Sequence, residues 1–182
     1  EKMLARHGSK LKFVIAAMYK FVNLNDTTTL LHNLQSLCEQ NGVSGTILLA
    51  EEGINGTIAA PAETIEKILN WLKADPRFDG ISLKFSFSDV QPFIRMKVKV
   101  KPEIVTLGYP NINPAERSGT YVEPVDWNAL ISDKEVLLID TRNNYETAIG
   151  MFDGAIDPNT PNFRDFPIWA AELAKLPIAS RP

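Results

Sequence analysis

One cysteine in 182 residues, Cys38, leaves no intrachain disulfide to be made. A reducing, cytoplasmic setting is the simplest for such a chain. Histidine is nearly as scarce: His7 and His32 stand far apart at no metal-ligand spacing, so no metal site is expected. No apolar run approaches the roughly 18 residues that a bilayer span requires, which excludes a membrane partner of that kind. The opening "EKMLARHGSKLK" is basic but has no apolar stretch leading to a small-residue cleavage site. It therefore reads as a disordered or appended end over residues 1–11 and not as a secretory signal. Internal repeats and low-complexity tracts are missing too. Nor is there an excess of one charge: the net value is −3, with 13 Lys and Arg against 11 acids in residues 1–105 and 6 against 11 in residues 106–182. A dedicated nucleic-acid binder carries far more positive charge, so any such contact must come from a local patch or from another segment.

What is present has clear periodicity. "KFVIAAMYKFV" (12–22) is β-branched and aromatic and reads as a largely buried strand. After it, Asp26 or a neighbouring threonine is placed to cap a helix whose apolar positions, Leu30, Leu31, Leu34, Leu37 and Cys38, recur at helical spacing until Asn41-Gly42. "GTILLA" (45–50) and "GTIAAP" (56–61) are short strands on either side of "EEGIN", read as a hairpin loop. A phosphate loop is a poorer reading, since the stretch has no lysine, lacks the Walker spacing and starts with two repelling glutamates. "AETIEKILNWLKADP" (62–76) is a second helix with Ile65, Ile68, Leu69 and Leu72 on one face. "ISLKFSFSD" (81–89) alternates as a half-buried strand does. The order β-α-β-β-α-β predicts a ferredoxin-like α+β domain over 12–105, with one more strand in "IRMKVKVKPEIV" (94–105). Residues 106–118, rich in proline and asparagine, read as a linker.

Beyond it, "VDWNALISD" looks like a short helix, "EVLLID" like a fully buried strand, "NNYETAIG" like a helix start, and the stretch from Pro167 like a helix. A strand followed by helices predicts part of an α/β domain with a parallel sheet over 119–182. The strand brings Asp140 to its carboxyl end, where open α/β sheets bind ligands, with Arg142 and Glu146 close behind. The plainer reading is that Asp140 caps the next helix and Arg142–Glu146 is a surface ion pair worth under about 1 kcal/mol. In "RMKVKVK" (95–101), alternation sets Arg95, Lys97, Lys99 and Lys101 on one face and Met96, Val98 and Val100 on the other. Such a row suits a phosphate backbone, and it equally suits an edge strand protected against unwanted pairing. Cys38, on the apolar face of a helix near its C-terminal end, is expected to be a core residue and not a nucleophile.

"IDTRNNYETAIGMFDGAI" resembles the first signature of rhodanese domains: strand, Asp, small residue, Arg, a helix containing Tyr-Glu, Gly, then Gly-Ala-Ile. Met151 departs from it, because many members carry His there. The hairpin "EEGINGTI", "RMKVK", "GTYVEPVDWNALI" and "RDFPIWAAEL" make the resemblance narrower, and it extends from about Phe13 to Pro177. Together these are similar to the rhodanese-like proteins with an acylphosphatase-like N-terminal domain known as tRNA uridine hydroxylases. The resemblance implies oxygen-dependent 5-hydroxylation of the wobble uridine, with tRNA as partner. It also implies a working cysteine in a Cys-x-Gly-Gly-x-Arg-Cys loop, lowered in pKa by a ring of backbone N–H groups. That loop is not among these 182 residues, so they are expected to be inactive alone. Asp140, Arg142 and Glu146 are then expected to support the active-site loop, and Arg95, Lys97 and Lys99 to contact RNA. No cofactor is assigned. A generic persulfide sulfurtransferase and a non-catalytic binding module are the alternatives.

Overall fold

The computed structural model describes residues 12–108 and 119–175. They form two compact units that divide between Val105 and Thr106. The end expected at 1–11 and most of the linker expected at 106–118 lie outside the described residues.

The first unit runs β1 (Phe13–Phe21), α1 (Thr27–Gln40), β2 (Ser44–Ala50), β3 (Gly53–Ala60), α2 (Ala62–Lys73), β4 (Ser82–Ser88) and β5 (Met96–Val100). The sheet order is β4-β1-β3-β2-β5. Its first four members are mutually antiparallel neighbours, and β5 joins β2 in parallel. This is the ferredoxin-like arrangement with one strand added.

Register explains the core. Val14, Ala16 and Met18 of β1 share a sheet face with Ile54 and Ile58 of β3, Ile47 and Leu49 of β2, and Met96 and Val98 of β5. Leu30, Leu34 and Cys38 from α1 and Ile65, Ile68, Leu69 and Leu72 from α2 complete that cluster. Burying side chains of this size stabilises by about 1.5–3 kcal/mol each before ordering costs. Within the described residues of this unit, no helix lies over the opposite face.

Three local expectations are corrected. The hairpin has no five-residue loop: Ala50 is opposite Gly53, leaving Glu51-Glu52 as a two-residue turn. The glycines serve the ladder instead. Gly53 has φ 148°, and a Cβ there would collide with the Lys20 carbonyl oxygen of β1. Second, the helix predicted over 62–76 stops at Lys73, and Pro76–Phe78 forms a separate 3-10 turn because proline ends the ladder. Third, Asp26 occupies the N-cap position of α1 without a side-chain cap bond. Its carboxylate accepts from Arg77 at 2.5 and 3.0 Å, while Arg77 also donates to Asp75 at 2.6 and 2.9 Å. Arg77 holds both carboxyls below the usual carboxylate range, chiefly through these hydrogen bonds.

The second unit contains α3 (Pro124–Ile131), α4 (Asn144–Thr147) and α5 (Phe166–Lys175). The buried strand predicted for "EVLLID" is reduced to one parallel bridge, Ile139 to Ile156. Two bonds make it: Asp140 N–H donates to the Ile156 carbonyl at 3.0 Å, and Ile156 N–H to the Leu138 carbonyl at 2.9 Å. A parallel strand needs flanking strands and covering helices to bury an apolar run. Among the described residues Leu137 instead stays exposed, and Leu138 and Ile139 are half-buried.

Candidate functional site

Two places merit chemical attention, one in each unit. In the second, Asp140 ends the bridge and Arg142 turns back onto it. The guanidinium donates to both Asp140 oxygens, with Nη2 at 2.6 Å and Nε at 3.0 and 3.2 Å. Nη2 also donates to the Gly150 carbonyl at 2.7 Å. The Asp140 carboxylate further accepts the Arg142 backbone N–H at 3.1 Å, which makes a short Asx turn. The effect is a clamp that closes the loop from 140 to 150. Arg142 lowers the pKa of Asp140, first through its side-chain bond, so Asp140 is ionised and orients the guanidinium instead of exchanging protons.

The expected Arg142–Glu146 pair does not form. Arg142 precedes the first residue of α4, so the two are not on one helix face. Glu146 accepts the backbone N–H of Asn143 at 3.3 Å, its half of a capping box. Asp140 does not cap α4 either; Asn143 holds that position.

Beside the clamp is a cavity of about 680 Å³ lined by Asp140, Arg142, Gly150, Met151, Phe152 and Trp127 among others. The Trp127 and Phe152 rings lie 5.3 Å apart. The buried Trp127 Nε1 has no hydrogen-bond partner among the described residues. A wall of aromatic and thioether groups next to a fixed guanidinium suits an apolar group that carries an anionic or polar end.

In the first unit the candidates are Arg95, Lys97 and Lys99. β5 is an edge strand, and alternation holds only in part: Met96 and Val98 are buried, Arg95, Lys99 and Lys101 exposed and Lys97 half-buried, but Val100, expected beside Met96 and Val98, is exposed. None of the four cations forms an ion pair among the described residues. Register sets Lys97 beside Thr46 and Lys99 beside Leu48 on the helix-free face.

Cys38 is fully buried, and burial pushes its thiol up to about 11, so it is not a thiolate near neutral pH. His32 is exposed, and no group of three or more metal-ligating side chains occurs among the described residues. No described helix is long and apolar enough to cross a membrane.

The description "UPF0176 acylphosphatase like domain" matches residues 13–104, which is the whole sheet of the first unit with its two helices. The chain belongs to that family. A protein of Sinorhizobium medicae named tRNA uridine(34) hydroxylase is 54% identical over 158 residues, covering 87% of this chain and 50% of the relative. Another of that name, from Rhizobium leguminosarum bv. trifolii, is 55% identical over 157 residues, or 86% and 51%. The chain thus spans about half the length of the curated relatives it matches. Among solved structures, the dark state of the BLUF protein BlrB is similar at TM-score 0.44 and 18% identity, over 54% of this chain and 80% of that one. That likeness is too slight to bear on function.

Sequence reasoning missed two side chains near the basic strand, Phe93 and Ile94, and the partner of Arg142. The sequence carries no signal for that pair: Ile94 is in phase with Met96 and Val98, so alternation assigns it to the buried face, and its exposure appears only in the structure.

Proposed function

We propose that this chain is the sheet-bearing part of an enzyme that hydroxylates C5 of the wobble uridine of tRNA, in an oxygen-dependent reaction. The observation that carries the reading is the identity of 54–55% to proteins named tRNA uridine(34) hydroxylase, sustained across 86–87% of the chain and therefore through both units. In this reading the second unit is part of a rhodanese-like domain. The Asp140–Arg142–Gly150 clamp shapes the wall of its active site, Glu146 steadies the following helix, and polypeptide beyond these residues supplies the reactive cysteine. Arg95, Lys97 and Lys99 contact RNA phosphates, adding salt-dependent affinity that the net charge of −3 does not otherwise provide.

The test is mass spectrometry of tRNA nucleosides from a strain lacking the full-length gene. Loss of 5-hydroxyuridine, restored by the full-length gene and not by the stretch encoding these 182 residues, is expected. Unchanged 5-hydroxyuridine rejects the proposal. A deletion strain with intact hydroxylation but reduced thiosulfate sulfurtransferase activity would replace it with the persulfide reading.

A further inference from the structure

On the helix-free face, where β5 meets β2, there is a depression of about 500 Å³. Its walls include Thr46, Phe93, Ile94, Arg95 and Lys97. Three properties occur together there. The two cations have no acidic partner among the described residues, and no carboxylate lines the depression. Ile94 is 102% exposed, the most exposed large hydrophobic residue among those described, and Phe93 beside it is half-buried. Thr46 presents its side chain from the neighbouring strand, opposite Lys97.

Edge protection accounts for the lysines but not for the rest. An isoleucine fully in water next to an open strand invites association, which is what edge lysines are there to prevent. The edge is also interrupted by other means: the outward N–H of Val98 donates to Gln35 Oε1 of α1 at 2.7 Å. The cations are therefore available for a ligand.

We infer that this depression is a binding site for single-stranded RNA, with Arg95 and Lys97 on successive phosphates and Phe93 with Ile94 forming a platform for a base. The inference rests on the proposed tRNA substrate and narrows it to an unpaired segment. Arg95 and Lys97 are two residues apart, about 6.6 Å in extended backbone, comparable with the phosphate-to-phosphate step of an extended single strand. A duplex presents its bases edge-on inside grooves and offers no face to stack, whereas unpaired loop bases splay onto apolar and aromatic side chains. A wobble uridine lies in such a loop. Because every base has a π-face, the site selects unpaired RNA over paired RNA without reading sequence.

The experiment uses the full-length protein and fluorescence anisotropy with two probes, an unmodified anticodon stem-loop and a blunt RNA duplex of equal length, across a salt series. Phe93→Ala is expected to bind the stem-loop about tenfold more weakly with an unchanged salt slope. Ile94→Ser, at a position too exposed to affect folding, is expected to lose about threefold. Arg95→Gln with Lys97→Gln is expected to reduce the slope of log affinity against log salt by about 1.4. Duplex binding should respond only to the charge variant. Wild-type stem-loop affinity in both Ile94→Ser and a natively melting Phe93→Ala would overturn the inference, as would equal losses on the duplex. Loss of hydroxylation in the deletion strain together with unaffected binding by all variants removes this site and leaves the enzyme reading standing. Intact 5-hydroxyuridine in that strain together with the expected binding losses does the reverse.

Discussion

The two units treat apolar side chains in opposite ways. Every buried hydrophobic residue among the described ones lies at or before Ile104, and twelve large side chains there are under 2% exposed. In the second unit the buried residues among those described are Thr147, Pro158 and Thr160, while Tyr121, Val125, Ile149 and Ile168 stand mostly in water. Thr147 is hydrogen-bonded where it is buried, its hydroxyl donating to Asp157 at 2.9 Å. Among the described residues, the first unit has closed its sheet on its own helices, and the second has helices and one bridge without a core beneath them. Stability of a small domain depends on the area it removes from water, so the two should differ greatly as independent objects.

The largest expected effect separates them outright. Residues 12–105 expressed alone should melt in one cooperative transition followed by circular dichroism, and residues 106–182 alone should show none. A sharp transition in the second fragment would end the contrast. Next come paired substitutions in the whole chain. Leu34→Ala, at 0% exposure, should cost about 2–5 kcal/mol in urea unfolding. Ile149→Ala, at 88% exposure, should stay within about 0.5 kcal/mol. A comparable cost at both sites would show that the second unit has a core after all.

The smallest effect concerns charge. Asp26 and Asp75 have depressed pKa values in the folded state, so their contribution is present above the unfolded value of about 3.9 and is lost as pH falls below it. Arg77→Ala should therefore flatten the decline of the urea midpoint on acidification below about pH 4 relative to the wild type. Parallel declines in the two proteins would show that the Arg77 hydrogen bonds leave stability untouched. Because all three side chains are partly exposed, solvent screening keeps the effect well under that of Leu34→Ala.

The same contrast governs how much could be read beforehand. The first unit was legible because period 2 and period 3.6 each point to one face, and one sheet buried by two helices satisfies both. Its misreading, "EEGIN" as a loop, came from treating glycine as a turn signal. Gly53 is there because β1 approaches too closely for a side chain. "EVLLID" misled in another way, since an apolar run states that burial is wanted and not which strands will provide it. At the site, spacing suggested Arg142–Glu146, but an i, i+4 rule applies only inside a helix, and α4 starts at Asn144. Asp140 is paired instead with Arg142, two residues away. Alternation sets Ile94 in the strand, in phase with its buried side, whereas β5 starts at Met96 and leaves Phe93 and Ile94 lining a depression beside Arg95 and Lys97.

After β5 the chain doubles back: Ile104, only 2% exposed, donates its N–H to Glu52 at 2.6 Å and accepts from Asn55 Nδ2 at 3.0 Å. Asn55 belongs to the helix-free face, in the row that crosses from Lys99 through Leu48 to Tyr19. The backbone thus crosses the Asn55 end of that row, where Asn55 and Glu52 hold it. A ligand lying along the basic strand would meet that crossing segment at the Lys99 end of the row.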